Sequence, residues 1–270
     1  MEVTFDTVQK IVNRFKGKEI RIDNLLKDDE ISRMAYTASK IPPANGTEDV
    51  LVDIGGSVFW LPIYVEILGY KKVVFLCRRG GGQTRVFDKD SIVIGKEFSF
   101  EMLDCDAELE KYPIDNDLAS CVVSFEILEH FAGDPMNLVS ESNRILKNNG
   151  IFCITTPNVI SRVNLAKIAL GRHPFGWSVF TDSYADRHNR EYTPYEVRKL
   201  IESGGFEINL LKTFDYKKKK QTMFLRLFGS LLSLPAYIAG KVPPGMRGGH
   251  IFVCAKKVGR VRNRYPDFLY

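Results

Sequence analysis

The stretch SCVVSFEILEHFAGDPMNLVSESNRILKNNGIFCITTPN, residues Ser120 to Asn158, opens on a short apolar run ending at Phe125. A helical pattern follows over Leu138 to Leu146, and a second apolar run spans Ile151 to Thr155. Runs of four to six apolar residues separated by helix-length segments are those of parallel strands covered on both faces. The rhythm continues upstream, with strand-like Val50 to Ile54, helical Leu61 to Leu68 and strand-like Lys72 to Cys77. Downstream, a helix over Thr193 to Ser203 opens on Thr193-Pro194-Tyr195-Glu196 and closes on Gly204-Gly205, a hydroxyl cap with proline at the first turn. Phe206 to Leu211 and His250 to Ala255 read as the last two strands. The pattern predicts an α/β fold, a doubly wound and mostly parallel sheet.

Before this region, Val8, Ile11, Val12 and Phe15, then Leu25, Leu26, Ile31, Met34 and Ala35, recur at helical spacing. Pro42-Pro43 and Asn45-Gly46 end that signal. The expected organisation is an N-terminal helical extension over 1–47, a main domain over 48–258 and a C-terminal tail over 259–270. The segment between the fifth strand and the following helix is too long for a simple connection, so 157–192 is expected to form a lid over an acceptor.

Composition bounds the rest. The 270 residues are 44% apolar and 26% charged, with a net charge of +5, which excludes disordered and collagen-like classes and makes nucleic acid an unlikely partner. Five scattered cysteines without a CxxC pair exclude a disulfide framework and a structural zinc site. Glu2 and the absence of an early apolar stretch predict no secretory signal peptide, hence a cytoplasmic location. Met223 to Gly240 is apolar but interrupted by Arg226, Ser230, Ser233 and Pro235, too broken for a spanning helix. Beside Lys217 to Lys220 it reads either as a helix packed on its own domain or, through 217–240, as a peripheral membrane contact.

Two clusters carry chemistry. The first strand runs into Val52-Asp53-Ile54-Gly55-Gly56-Ser57, where glycines let the backbone approach a ligand and a following helix offers free N–H groups. The second, Glu126-Ile127-Leu128-Glu129-His130, follows the strand ending at Phe125. With Leu146-Lys147-Asn148-Asn149-Gly150 and Thr156-Pro157-Asn158, it resembles the class I S-adenosylmethionine-dependent methyltransferases. There a Glu-x-x-Glu-His segment, a Leu-Lys-x-x-Gly turn and a Thr-Pro-Asn strand end recur. The segment Arg187-His188-Asn189-Arg190-Glu191-Tyr192-Thr193, with Gly205-Phe206 after its helix, is similar to methyltransferases of glycan and secondary-metabolite pathways.

The resemblance implies a seven-stranded Rossmann-like sheet and S-adenosylmethionine as cofactor. Asp53, Gly55, Gly56 and Ser57 would border its methionine part, the tip of the second strand at Cys77 its ribose, and Asp106 with Ala107 its adenine. Phe125 and Glu126 would complete that site. Two departures stand out: the third glycine of the first loop is absent, and Cys77-Arg78-Arg79 stands where an acidic residue would bind ribose hydroxyls. Readings left open are therefore a non-catalytic cofactor-binding protein, an NADP-type oxidoreductase using the arginines, and a metal-dependent RNA 2′-O-methyltransferase. For methyl transfer to the oxygen of a small-molecule or glycan-type acceptor, a proton acceptor is useful, and His130 and His188 are the candidate catalytic residues. Glu126, Glu129, His130 and His188 also form a donor set suited to Mg or Mn.

Overall fold

The computed structural model describes residues 3–14, 27–78, 98–174, 187–215, 220–238 and 245–267. Seven strands form one sheet: β1 (Val50–Ile54), β2 (Lys72–Cys77), β3 (Ser99–Asp104), β4 (Ala119–Phe125), β5 (Leu146–Pro157), β6 (Phe206–Phe214) and β7 (His250–Lys257). Their order across the sheet is β3-β2-β1-β4-β5-β7-β6. The first five in that order pair in parallel, and β7 runs antiparallel to both β5 and β6.

The apolar run that marked β1 is buried at all five positions, as a central parallel strand covered on both faces requires. Strand order reverses between β1 and β4, which opens a crevice at their carboxyl ends where doubly wound sheets bind ligands. β5 is longer than the expected Ile151 to Thr155 at both ends: Leu146 pairs with Ala119 of β4, and Pro157 lies opposite His250 of β7.

Helices α1 (Phe5–Asn13) and α2 (Asp28–Ala38) pack Val8, Ile11, Val12, Ile31 and Met34 into the same buried cluster as Leu51, Tyr64 and Phe75. The segment that was expected as a regular helix after β1 is a 3-10 turn at Val58–Trp60 followed by π-helical Ile63–Ile67. All of Val58 to Val65 that carries an apolar or aromatic side chain, proline aside, is buried there. On the opposite face lie α3 (Pro135–Ile145) and α5 (Pro194–Ser203), around a second cluster that includes Val52, Val122, Leu138, Val139, Leu200 and Val253. α5 starts in a full capping box, with the Thr193 hydroxyl accepting from the Glu196 N–H and the Glu196 carboxylate accepting from the Thr193 N–H. α4 (Arg162–Ala169), in the expected lid, packs against α6 (Lys220–Ile238). Phe175 and Trp177 of that lid, and Lys217 to Lys219, lie outside the described residues.

Candidate active site

At the tip of β1 the chain turns through Gly55, whose φ of 70° is the left-handed geometry that glycine adopts without strain. Asp53, just before it, is 1% exposed. Tyr64 donates a hydrogen bond of 2.8 Å to its Oδ2, while Oδ1 is buried without a hydrogen-bond partner among the described residues. Burial pushes this carboxyl up to about 7, against the opposing pull of the Tyr64 hydroxyl. A Cβ on Gly56 would fall 2.0 Å from the Asp53 carboxylate, and one on Gly55 2.3 Å from Ile127 Cδ1. Both glycines thus make room for protein side chains, where the sequence pointed to a ligand alone. Ser57 precedes the 3-10 turn and also keeps a buried hydroxyl without a partner.

β2 ends at Cys77, whose thiol lies 3.2 Å from the Gly56 carbonyl oxygen as a donor. Burial pushes that thiol up to about 12, with the Asp53 charge adding to the effect, so at neutral pH it is uncharged. Arg78 Nη1 is 3.4 Å from Asp106 Oδ2. The other oxygen of Asp106 accepts from the N–H groups of Glu108 and Leu109, which makes Asp106 the cap of its own turn. Ala107 contributes a carbonyl to Tyr112 and Asn137. Phe125 ends β4 with its ring 5.0 Å from that of Trp60.

The four-residue metal set does not assemble as expected. Glu126 sits at φ 57° and its Oε2 lies 2.9 Å from His250 Nδ1. Burial works to raise that carboxyl, but the charge and hydrogen bond of His250 outweigh it and hold it at about 2. What converges instead is Glu129, His130 and His188, each offering one ligand atom, all within 4.8 Å of one another. Glu126 is spent on His250 and stands outside that group.

Local structure explains the convergence. Residues 128–130 form a 3-10 turn directly after β4, and the segment 187–190 is stitched onto it. Asn189 and Arg190 donate backbone N–H groups to the Glu129 carbonyl, and Asn189 Nδ2 donates 2.6 Å to the His130 carbonyl. The two imidazole rings lie 5.1 Å apart at 88°. His130 Nδ1 is 3.0 Å from the Arg187 carbonyl oxygen, which can only accept, so Nδ1 carries a proton and, in the neutral ring, Nε2 the lone pair. His188 Nδ1 is 3.0 Å from Glu191 Oε1, and its Nε2 is 4.0 Å from Glu129 Oε1. Glu129 is 1% exposed and accepts from the Thr156 hydroxyl at 3.0 Å. Burial, reinforced by the Glu126 charge, pushes its carboxyl well above the usual range.

Sequence reasoning missed Glu191, Thr156, Tyr64 and His250. Glu191 and Thr156 lie inside the stretches that carried the family resemblance, and a carboxylate three residues after a histidine was the available signal.

A family model described as a methyltransferase domain matches residues 80–154. A curated relative from Mycolicibacterium smegmatis, named a "Probable S-adenosylmethionine-dependent methyltransferase", is 31% identical over 104 residues. The match covers 37% of this chain and 33% of the relative, so the chain spans about a third of that relative's length. Among solved structures, a Haloferax volcanii methyltransferase in complex with the Trm112 methyltransferase activator is similar with a TM-score of 0.57 at 16% identity, over 93% of this chain and 98% of that one. An S-adenosylmethionine-dependent methyltransferase from Mesorhizobium loti gives 0.51 at 15%, over 84% and 97%. The fold is that of the class I methyltransferases. The family model and the relative each match part of the chain, and what they match is methyltransferase sequence. Arg78, one of the two arginines behind the NADP reading, faces Asp106.

Proposed function

We propose that this chain transfers the methyl group of S-adenosylmethionine to an oxygen of a small-molecule or glycan-type acceptor. Two buried polar atoms without partners, Asp53 Oδ1 and Ser57 Oγ, at the tip of β1 fit a cofactor that carries both an ammonium and a carboxylate. Asp53, Gly55, Gly56 and Ser57 would hold its methionine part, Cys77 would border the ribose as a neutral donor, and Asp106 and Ala107 would flank the adenine. Phe125 and Glu126 close the site from β4. The chemistry the cofactor supplies is an activated methyl on a sulfonium.

The observation that carries the acid–base reading is the paired imidazoles of His130 and His188 beside Glu129. With Nδ1 of His130 committed to a carbonyl, and Nδ1 of His188 facing Glu191, each ring presents Nε2 as the proton-accepting nitrogen. An acceptor hydroxyl delivered there gives its proton to an imidazole while its oxygen becomes the nucleophile. Glu191 and the Arg187 carbonyl then act as positioning groups that fix the tautomers.

A second reading uses the same geometry. Glu129, His130 and His188 form a two-imidazole, one-carboxylate set whose rings are each oriented through Nδ1, the arrangement that divalent metal ligands show. Mg or Mn held there would polarise the acceptor oxygen.

Calorimetry with S-adenosylhomocysteine, and methyl transfer from labelled S-adenosylmethionine across hydroxyl acceptors, test the proposal. His188→Ala should lower turnover about 100-fold or more while leaving S-adenosylhomocysteine affinity within about twofold of the original. Chelator-sensitive transfer restored by Mg or Mn selects the metal reading, and chelator-insensitive transfer the proton-accepting one. Undiminished turnover in His188→Ala rejects both.

A further inference from the structure

Helix α6 is built inside out. Its covered positions are Gly229 and Ser233, with Leu225, Arg226, Phe228 and Ser230 half-buried beside them. Its outer stripe holds Phe224 (67% exposed), Leu227 (62%), Leu231 (68%) and Leu234 (51%), at spacings of three, four and three residues that align them on one face. Gly229 is needed inside because α4 crosses there: a Cβ would fall 1.8 Å from the Arg162 carbonyl oxygen. α4 extends the apolar surface with Ile168 and Leu170, each about half exposed. Of the twelve large hydrophobic residues exposed among those described, seven are on these two helices or at their ends. A surface helix of a self-contained domain shows the opposite arrangement.

The sequence segments that contain these two helices are rich in cations. Residues 212–247 carry eight Lys or Arg against the single Asp215, and residues 159–174 carry three against no acidic residue. These two segments hold a net +10 in a chain whose total is +5, so everything else sums to −5. Four of the cations, Lys217 to Lys220, immediately precede or begin α6.

We infer that the α4–α6 face docks on an anionic lipid bilayer surface, with the leucine stripe inserted at the headgroup boundary and the net positive charge of these segments attracting acidic headgroups. Apolar residues in a line with many cations of one sign and almost no acids match that surface. None of the described helices is long and apolar enough to cross a membrane, so α6, about 28 Å long at 1.5 Å per residue, lies on the bilayer. The inference rests on burial and charge and stands apart from the proposed reaction.

Sedimentation of the full chain with vesicles tests it without any activity. The chain should sediment with vesicles of phosphatidylcholine mixed with phosphatidylglycerol, far less with phosphatidylcholine alone, and be released by high salt. Leu227→Glu combined with Leu231→Glu should weaken partitioning at least about tenfold, and because both side chains are exposed, the melting temperature should hold. Each of Lys217→Gln to Lys220→Gln should weaken it about fivefold. Absence of binding to the acidic vesicles by the folded chain, or binding indifferent to the leucine substitutions, overturns the inference. So does a dimer in light scattering that the leucine substitutions dissociate while vesicle binding is absent, which would make this face the seat of a second copy.

Discussion

Asp53 and Gly56 constrain each other. The carboxyl of Asp53 reaches about 7 because it is buried with one hydrogen bond, whereas an unfolded aspartate titrates near 3.8. Between those values the unfolded chain has already lost the proton that the folded chain keeps. Its contribution to stability is therefore present below pH ~4 and lost as pH rises through about 7, up to about 4 kcal/mol for that shift. Asp53→Asn removes the titration. Its melting temperature is expected to exceed that of the parent at pH 8 and to approach it at pH 4, and parallel pH profiles of melting would refute this. Gly56→Ala acts on the same contact from the other side. The Asp53 carboxylate that its Cβ would meet is enclosed, so overpacking of about 1 to 3 kcal/mol is expected, read as a lower urea midpoint at unchanged slope.

At this scale Asp53, Gly55, Gly56, Glu129, His130 and His188 could be picked out of the sequence because motif residues sit next to strand ends. Their partners could not. Nothing in the order of residues says that Glu126 turns to His250, 124 positions away, or that Tyr64 supplies the only hydrogen bond to the Asp53 carboxyl among the described residues. Those pairings are made by the sheet register and by the irregular helix behind β1.

Helix α5 shows what a local signal can carry. Thr193, Pro194 and Glu196 specify its start, and the start is where the structure has it. Thr193→Ala is expected to cost about 1 kcal/mol, visible as a melting temperature lowered by a few degrees with the site chemistry untouched. β3 shows the opposite case. Ser-Phe-Glu-Met-Leu-Asp alternates partly buried with exposed side chains at the edge of the sheet, so it lacks the continuous apolar run that marked its neighbours, and only the family resemblance called for a seventh strand. The stretch after β1 was legible as helical from its apolar content, yet its tightening to 3-10 and widening to π follow from fitting Trp60, Tyr64 and Phe75 around one another, a packing result that periodicity does not encode.

For the molecule as a whole, the first two helices belong to the core of the sheet. Val8, Ile11, Val12, Ile31, Met34 and Ala38 are almost wholly inaccessible and share a cluster with residues of β1 and β2. Fully burying an apolar side chain of this size stabilises by about 1.5 to 3 kcal/mol, and a domain holds only about 5 to 15 in reserve. A chain begun at residue 48 is therefore expected to be insoluble or molten, seen as lost near-ultraviolet circular dichroism and dye binding. A cooperative melt from that shorter chain would show that the extension is separable, as the proline-rich boundary in the sequence implied.

The position of β7 bears on how the protein comes into being in a cell. The strand that enters the sheet last in chain order lies between β5 and β6 and bonds to both. While a ribosome is still extending the chain, β6 has no strand to bond with, and the long flank of β5 that β7 will cover stands open. Both edges are exposed to other nascent chains during that interval, the condition under which intermolecular strand pairing competes with folding. Closure waits for synthesis to pass Lys257, so a polypeptide released after β6 but before β7 presents the open flank of β5 and an unpaired β6 to chaperones and proteases. Biogenesis is thereby tied to a late event of translation.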